Sequence, residues 1–416
     1  MILRARTVVP VSSPPIDDGA ICLSGDRIAW VGRHADIPAK YKASDETDLG
    51  EVILMPGLVN AHCHLDYTGM AGQIAQPKSF TSWIQSMVSL KGSWSMDEFS
   101  ASWQHGAEML LRSGTTTVAD IEAVPELIPR AWDTTPLRVI SFRELINVKS
   151  RQPAAELVER AVNDWLSVPN GQGRLGLSPH APYTTTTELL ELAAREAHRR
   201  KWRLTTHVAE SEQEFEMYMY RQGAMFDWLK NQRDVSDCGK GSPVQHLERC
   251  EYLDSNLLAV HVNYLWRHDA GVLGRNRVSV AHCPRSHDYF RHLRFPRHEL
   301  ESAGVNICLG TDSLATVSKI RNEPLELSLF AEMKMFASKA PDYPPGKILR
   351  MATMNGAQAL GMQGHLGELV EGALGDVIAL SCAAGGKDLF EQIVHHDGTV
   401  AASMINGAWA LPPGNK

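Results

Sequence analysis

The chain is poor in cysteine for its length, with seven in 416 residues: Cys22, Cys63, Cys238, Cys250, Cys283, Cys308 and Cys382. The number is odd, the spacing irregular, and no pair is separated by two residues. A disulfide framework and a cysteine zinc site are therefore both disfavoured. Cys308, inside the apolar run Val305–Leu309, reads as a small buried hydrophobe. No apolar run approaches about 18 uninterrupted residues, so no membrane-spanning helix is expected. The opening Met1–Arg6, soon followed by Pro10 and Pro14, lacks the long apolar core of a secretory signal, and a reduced, cytoplasmic setting is expected. There is no block of basic residues. Lys and Arg total 41 against 48 Asp and Glu, a formal charge of −7, which argues against a nucleic-acid or anionic-membrane binder. No GxGxxG or GxxxxGK[ST] loop follows any predicted strand, which weakens a doubly wound nucleotide-binding sheet.

What the chain does have is histidine, 17 in all. Their positions matter more than their number. Short apolar runs alternate with amphipathic helical segments such as Thr187–Glu196. The runs are Gly57–His62, Thr115–Asp120, Leu137–Glu144, Arg174–Pro179, Arg203–His207, Leu258–His261, Val278–His282 and Asn306–Gly310. Eight strands with helices between them predict a (β/α)₈ TIM-type barrel, an α/β fold whose chemistry lies at the C-terminal ends of its strands. Residues 56–361 are assigned to it. Residues 1–55 carry hairpin signals around Ser24-Gly25-Asp26, and 362–416 carry Asp376–Ser381 and Ala402–Gly407. Together the two ends predict a small composite β-sandwich domain.

The polar residues close the apolar runs. In a strand, residues i and i+2 share a side, so His62 and His64 can face one ion while Cys63 faces away. His207, His261, His282 and Asp312 end or follow later strands, and a barrel brings those ends to one rim. The inferred ligand set is His62, His64, His207 and Asp312. Three imidazoles and a carboxylate suit one divalent ion per subunit, Zn²⁺ in preference to Fe²⁺, with a position open for water. Ser178-Pro179-His180 at the fourth strand supplies no lysine for a bridging carbamate, which favours a mononuclear site. Glu210, three residues past His207, reads as a proton shuttle, and His261 as a group that polarises the reacting centre.

Met55-Pro56-Gly57-Leu58-Val59-Asn60-Ala61-His62-Cys63-His64, His207-Val208-Ala209-Glu210, His261 and Gly310-Thr311-Asp312-Ser313 resemble the amidohydrolase superfamily, in its subgroup of metal-dependent deaminases and chlorohydrolases. The resemblance extends to Leu366–Val377 and so covers nearly the whole chain. It implies a hydrolase of carbon–nitrogen bonds other than peptide bonds, releasing ammonia from an amino-substituted, purine-nucleoside-like small molecule. By the same resemblance, Glu210 carries a proton to the ring nitrogen, Asp312 serves as ligand and base, and His261 assists; a homodimer is common in such barrels. His180 resembles a substrate-binding histidine. The run His282-Cys283-Pro284-Arg285-Ser286-His287 looks most like aminodeoxyfutalosine deaminases of menaquinone biosynthesis. Arg285 is then the expected partner of the substrate's carboxylate, with Arg143 and Glu144 as further pocket residues. S-adenosylhomocysteine, adenosine and guanine deaminases, chlorohydrolases and cyclic amidohydrolases are the alternatives. The stretch 67–94, with Phe80, Trp83 and Trp94, is either a lid or a packed excursion.

Overall fold

The computed structural model describes residues 1–75, 78–148, 152–169, 175–319, 325–382 and 388–414. Arg174, with which the fourth predicted strand begins, and residues 76–77 of the predicted excursion lie outside them. In chain order the strands are β1 (Ile2–Val8), β2 (Ile16–Ser24), β3 (Arg27–Arg33), β4 (Glu46–Asp48), β5 (Val52–Pro56), β6 (Leu58–Cys63), β7 (Thr115–Glu122), β8 (Arg138–Leu145), β9 (Leu175–Pro179), β10 (Arg203–Val208), β11 (Leu257–His261), β12 (Ser279–His282), β13 (Asn306–Leu309), β14 (Val377–Ser381), β15 (Ala402–Ile405) and β16 (Ala408–Leu411).

β6 to β13 form one parallel sheet in sequential order. Almost every residue in these strands is buried, as a parallel sheet flanked by helices requires. The sheet closes on itself where the chain after β13 meets β6: Thr311 N and Asp312 N both donate to the His62 carbonyl, at 2.9 and 3.1 Å. Asn60 ties the same seam, donating to Thr311 Oγ1 at 2.8 Å and accepting from Thr311 N at 3.1 Å. Gly310 is required here, because a Cβ would stand 2.8 Å from the His62 carbonyl oxygen. The (β/α)₈ barrel expected from the alternating pattern is therefore present.

Local chemistry explains the helices around it. Thr187–Arg200 is capped by Thr186, whose hydroxyl accepts from Leu189 N at 3.2 Å. Its buried Leu189, Leu190, Ala193 and Ala197 lie on one helical face. Phe80–Lys91 begins with a capping box between Ser79 and Ser82.

Strands from both chain ends make a second, mixed sheet in the order β16-β15-β14-β5-β1-β2-β3, with β4 beside β1. It is one continuous sheet. Its inward residues Leu3, Ile21, Ile28, Leu54, Val377 and Met404 share one core. The helix Leu389–Val394, inside the C-terminal segment, packs instead on the helices Leu329–Lys339 and Pro345–Met351 beside the barrel. Arg138, on β8, binds Asp376 just before β14 and couples the two units. Among the described residues no helix is long and apolar enough to cross a membrane.

Candidate active site at the barrel rim

The polar strand ends converge as the rim geometry demands. His62, His64, His207, Glu210, His261 and Asp312 are all buried. Nitrogens of His62, His64 and His207 lie within 4.8 Å of one another, and the side chains of Glu210, His261 and Asp312 form a second such group. The two interlock. Asp312 Oδ1 is 3.9 Å from His62 Nε2 and 3.8 Å from His64 Nε2, and His261 Nε2 is 3.4 Å from Glu210 Oε1.

The nitrogens themselves test whether these residues fit a cation. His64 Nε2 and His207 Nε2 face each other at 3.3 Å. Both His62 ring nitrogens and His64 Nδ1 are buried without a partner. Orphaned buried imidazole nitrogens are costly in a protein interior, and a shared cation satisfies them together. His207 Nδ1 lies 2.8 Å from the His180 carbonyl, so it carries the proton and leaves Nε2 as a lone pair. Burial, reinforced by the neighbouring imidazoles, pushes the pKa values of His62 and His64 well down, keeping them neutral and able to ligate. Asp312 is oriented by Ser313 N at 2.8 Å and Thr316 Oγ1 at 3.1 Å. The set fits a divalent ion.

Glu210 is held differently. Its amide donates to Glu214 Oε2 at 2.8 Å, and its carbonyl accepts from Asn263 Nδ2 at 2.9 Å, so the backbone is fixed while the carboxyl points inward. Burial, then the charges of Asp312 and Glu214, push its pKa well above the ordinary carboxyl value. That shift favours the protonated carboxyl, the form that can donate a proton. His261 is pushed down by burial and its imidazole neighbours, and so is neutral.

Above this floor opens a cavity of about 320 Å³. Phe80, Trp83, Ile84, Met87 and Val88 wall one side, and Ile146, Val148 and Trp228 also line it. The helix Phe80–Lys91 is thus a wall of the cavity, and its first turn is anchored where Thr81 N and Oγ1 both donate to Gln213 Oε1 at 2.8 Å. Trp94 stands apart, packed on Phe99 with ring centres 5.3 Å apart. An apolar chamber with a few convergent polar groups at its base is the form of a small-molecule site.

His180 and Glu144 line this cavity; Arg285 and Arg143 do not. His180 Nδ1 lies 2.8 Å from Thr184 Oγ1, and burial pushes its pKa down to about 3. The expectation that Arg285 receives a substrate carboxylate is corrected by its position. Its Nε donates to Glu332 Oε1 at 2.6 Å and its Nη2 to the Glu326 carbonyl at 2.9 Å. Glu332 is fully buried, so the guanidinium is committed as its counterion. Arg143 likewise turns outward, to Asp164 at 3.2 Å and over the Trp165 ring. His282 stacks on Phe295 with centroids 3.8 Å apart and lines a separate cavity.

The sequence reading missed Lys91 and the placement of Tyr67. Lys91 Nζ is 3.5 Å from Glu144 Oε2 and lies over the Tyr67 ring, which stacks flat on His64 with centroids 5.1 Å apart. For Glu144, burial opposes ionisation, but the Lys91 ammonium beside it works against burial and its pKa is drawn down. The nearest signal was the aromatic-rich stretch after β6, which holds both residues.

The amidohydrolase family profile matches residues 53–410. A 5-methylthioadenosine/S-adenosylhomocysteine deaminase of Syntrophobacter fumaroxidans is 30% identical, over 88% of this chain and 80% of its own. The deaminase of the same description from Moorella thermoacetica is 29% identical, over 91% of this chain and 85% of its own. A zinc-bound adenosine deaminase from Xanthomonas campestris has the same fold, with a TM-score of 0.81 at 24% identity, covering 99% of this chain and 92% of that one.

Proposed function

The chain belongs to the amidohydrolase family and is a hydrolase of carbon–nitrogen bonds other than peptide bonds; from that premise we propose that it removes the 6-amino group of an adenosine-like nucleoside as ammonia. One observation carries the reading: Glu210 and His261, 3.4 Å apart, stand beside Asp312 and three convergent imidazoles, at the floor of a chamber with apolar walls. The relatives' descriptions favour a 5′-modified adenosine. Aminodeoxyfutalosine loses the support that Arg285 lent it, because that arginine is bound to Glu332.

His62, His64, His207 and Asp312 would hold the ion, and their donor set favours zinc. When bound, such an ion supplies Lewis acidity that brings the pKa of a water ligand toward about 7. Glu210 gives its proton to N1 of the purine, making C6 electrophilic. Asp312 takes one proton from the water that adds to C6 and delivers it to the amino group, which leaves as ammonia. The second water proton restores Glu210 as the new C–O bond becomes a carbonyl. His261, 3.4 Å from Glu210, polarises the oxygen at the tetrahedral carbon. The apolar wall excludes bulk water from these transfers.

The test is ammonia release by metal-loaded protein from 5′-methylthioadenosine, S-adenosylhomocysteine, adenosine, aminodeoxyfutalosine, guanine and cytosine, with a chlorotriazine as control. Turnover of 5′-modified adenosines with kcat/KM at least tenfold above the free bases supports the proposal. Release of chloride, or turnover of free bases alone, overturns it.

A further inference from the structure

Beside the reaction chamber, and sharing no lining residue with it, lies a second cavity of about 290 Å³ at the end of β12. His282 closes β12 and lines this cavity; it is 4% exposed, yet its Nδ1 has no hydrogen-bond partner. His292 lines it too. Its Nδ1 lies 3.3 Å from the Tyr264 hydroxyl, while its Nε2 is buried and unpartnered. Unpaired imidazole nitrogens in a protein interior are costly, and an occupant that pairs with them removes that cost. Neither imidazole has a part in the reaction described above.

The lining decides the sign of the occupant's charge. Arg291, Arg294, Arg297 and Lys339 stand against one carboxylate, Asp288. Lys339 is paired with Asp288 at 2.5 Å, and Arg297 with Glu301 at 2.8 Å. Arg291 and Arg294 are exposed and have no carboxylate in ion-pair reach among the described residues. A cation would meet these two free guanidinium groups. Among the described residues, the groups of three side chains close enough to hold one metal ion lie at the barrel rim, and these imidazoles do not form another. An imidazole can instead turn its N–H to an anion, and a guanidinium holds a carboxylate or phosphate through two parallel N–H donors. The rest of the lining is apolar. The His282 ring lies flat on Phe295 with centroids 3.8 Å apart, and Phe336 stands edge-on to it at 6.0 Å. A bare inorganic ion leaves such surfaces in water, whereas an anion with an apolar or aromatic body covers them.

We propose that this cavity binds a small organic anion, with its carboxylate or phosphate head on Arg291, Arg294 and the unpartnered imidazoles and its apolar body against Phe295 and Phe336. The site lies outside the reaction chamber, and the inference does not depend on which substrate that chamber takes.

The experiment titrates metal-loaded protein by calorimetry with benzoate, phenyl phosphate, benzyl alcohol and inorganic phosphate, and repeats the titrations on R291A/R294A. Both arginines are exposed, so the double variant should keep the wild-type Tm. At least one aryl anion should bind about tenfold or more tightly than both the neutral ring and inorganic phosphate, the usual worth of a charge-assisted hydrogen bond. Its affinity should fall about 10- to 100-fold in R291A/R294A. A preference for benzoate assigns a carboxylate head, and one for phenyl phosphate a phosphate head. R291K/R294K, which keeps both charges but loses the planar fork, should bind with intermediate affinity and guards against misfolding of the alanine variant. No binding of either aryl anion, or binding no tighter than that of benzyl alcohol or inorganic phosphate, overturns the inference. So does an aryl-anion affinity unchanged in R291A/R294A, which would place the anion at the metal of the rim.

Discussion

Replacing Arg285 with alanine should damage folding and leave substrate choice alone. Arg285 and Glu332 are 12% and 0% exposed. Glu332 accepts from both the Arg285 amide, at 2.9 Å, and its Nε, at 2.6 Å. Burial raises the pKa of Glu332, and the arginine works against that rise. Removing the guanidinium leaves a buried carboxylate with only the amide donor, a loss of about 3–5 kcal/mol by the usual cost of breaking a buried pair. At roughly 2 cal/mol/K per residue, unfolding a chain of 416 residues carries an entropy near 0.9 kcal/mol/K, so each kcal/mol shifts Tm by about 1 °C. A fall of about 3–5 °C is expected by scanning calorimetry at pH 7. The sign with pH follows from Glu332. Without Arg285 its folded pKa rises further above the unfolded value, and protonation relieves the unpaired charge. The Tm gap to wild type should therefore narrow as pH falls toward 5. R285A/E332Q should recover part of the loss. An unchanged Tm, together with a kcat/KM loss at least tenfold larger for a carboxylated nucleoside than for its uncharged analogue, refutes the structural role.

Glu210→Gln should retain bound metal by elemental analysis but lower kcat by about 10²–10⁴-fold, the usual worth of a positioned acid–base group; near-normal turnover removes Glu210 from proton transfer. Chelation should lower Tm by roughly 4 °C if the free ion had been about 1,000-fold above its Kd, since that linkage is worth about 4 kcal/mol; an unaltered Tm argues against an ion bound by His62, His64, His207 and Asp312. Burial lowers the pKa of His246 to about 4, against the pull of Asp237 at 3.8 Å, while Arg249, Arg233 and Lys240 add to the fall. Its folded pKa lies below the unfolded 6.5, so its contribution is complete above that value and is lost as pH falls through 6.5 toward 4. By pH 5 the loss is about 2 kcal/mol. The difference in stability between pH 7 and pH 5, from denaturant titration, should shrink by that amount in H246Q; equal slopes for the two proteins refute it.

The barrel was legible because burial on both faces leaves an unmistakable mark: short apolar runs separated by amphipathic helices, each run closed by a residue that does not belong in a core. His62, His64, His207, His261 and Asp312 stood out because a rim is the one place where a buried strand tolerates them. Pairing across the fold left no such mark. Arg285 and Glu332 are 47 residues apart, and Lys91 and Glu144 are 53 apart. The helix Pro284–Tyr289 decides the first case by rotation. Successive residues differ by about 100° around a helix, so Ser286 takes the buried direction while Arg285 points to Glu332. A motif aligned by residue type does not carry that angle. Lys91 was hidden for a related reason, since the helix ending on it folds back over the rim and periodicity does not specify that docking.

The rim also has a backbone feature that residue types concealed. Ala209, His261, Val262 and Asp312 have φ of 52°, 73°, 50° and 52°, in the left-handed region. A scan for such turns looks for glycine, and none of the four is glycine. For L-residues the conformation costs on the order of 1–2 kcal/mol each, and a β-branched valine is among the poorest choices for it. Neighbouring groups hold the turns in place. Glu214 accepts from the amides of Ala209 and Glu210, the Ala209 carbonyl accepts from Asn263 N at 2.9 Å, and the His62 carbonyl fixes Asp312. The left-handed step breaks the two-residue alternation at the end of a strand. It lets Glu210 and Asp312 turn toward the ligand cluster, where the continuing pleat of a strand sends alternate residues to opposite faces. These four left-handed positions lie at or next to the residues proposed here for proton transfer and ligation, as expected where local preference gives way to a site. Buried Glu214 therefore belongs to the site as a positioning residue: without its two accepted amides the turn that aims Glu210 loses its anchor.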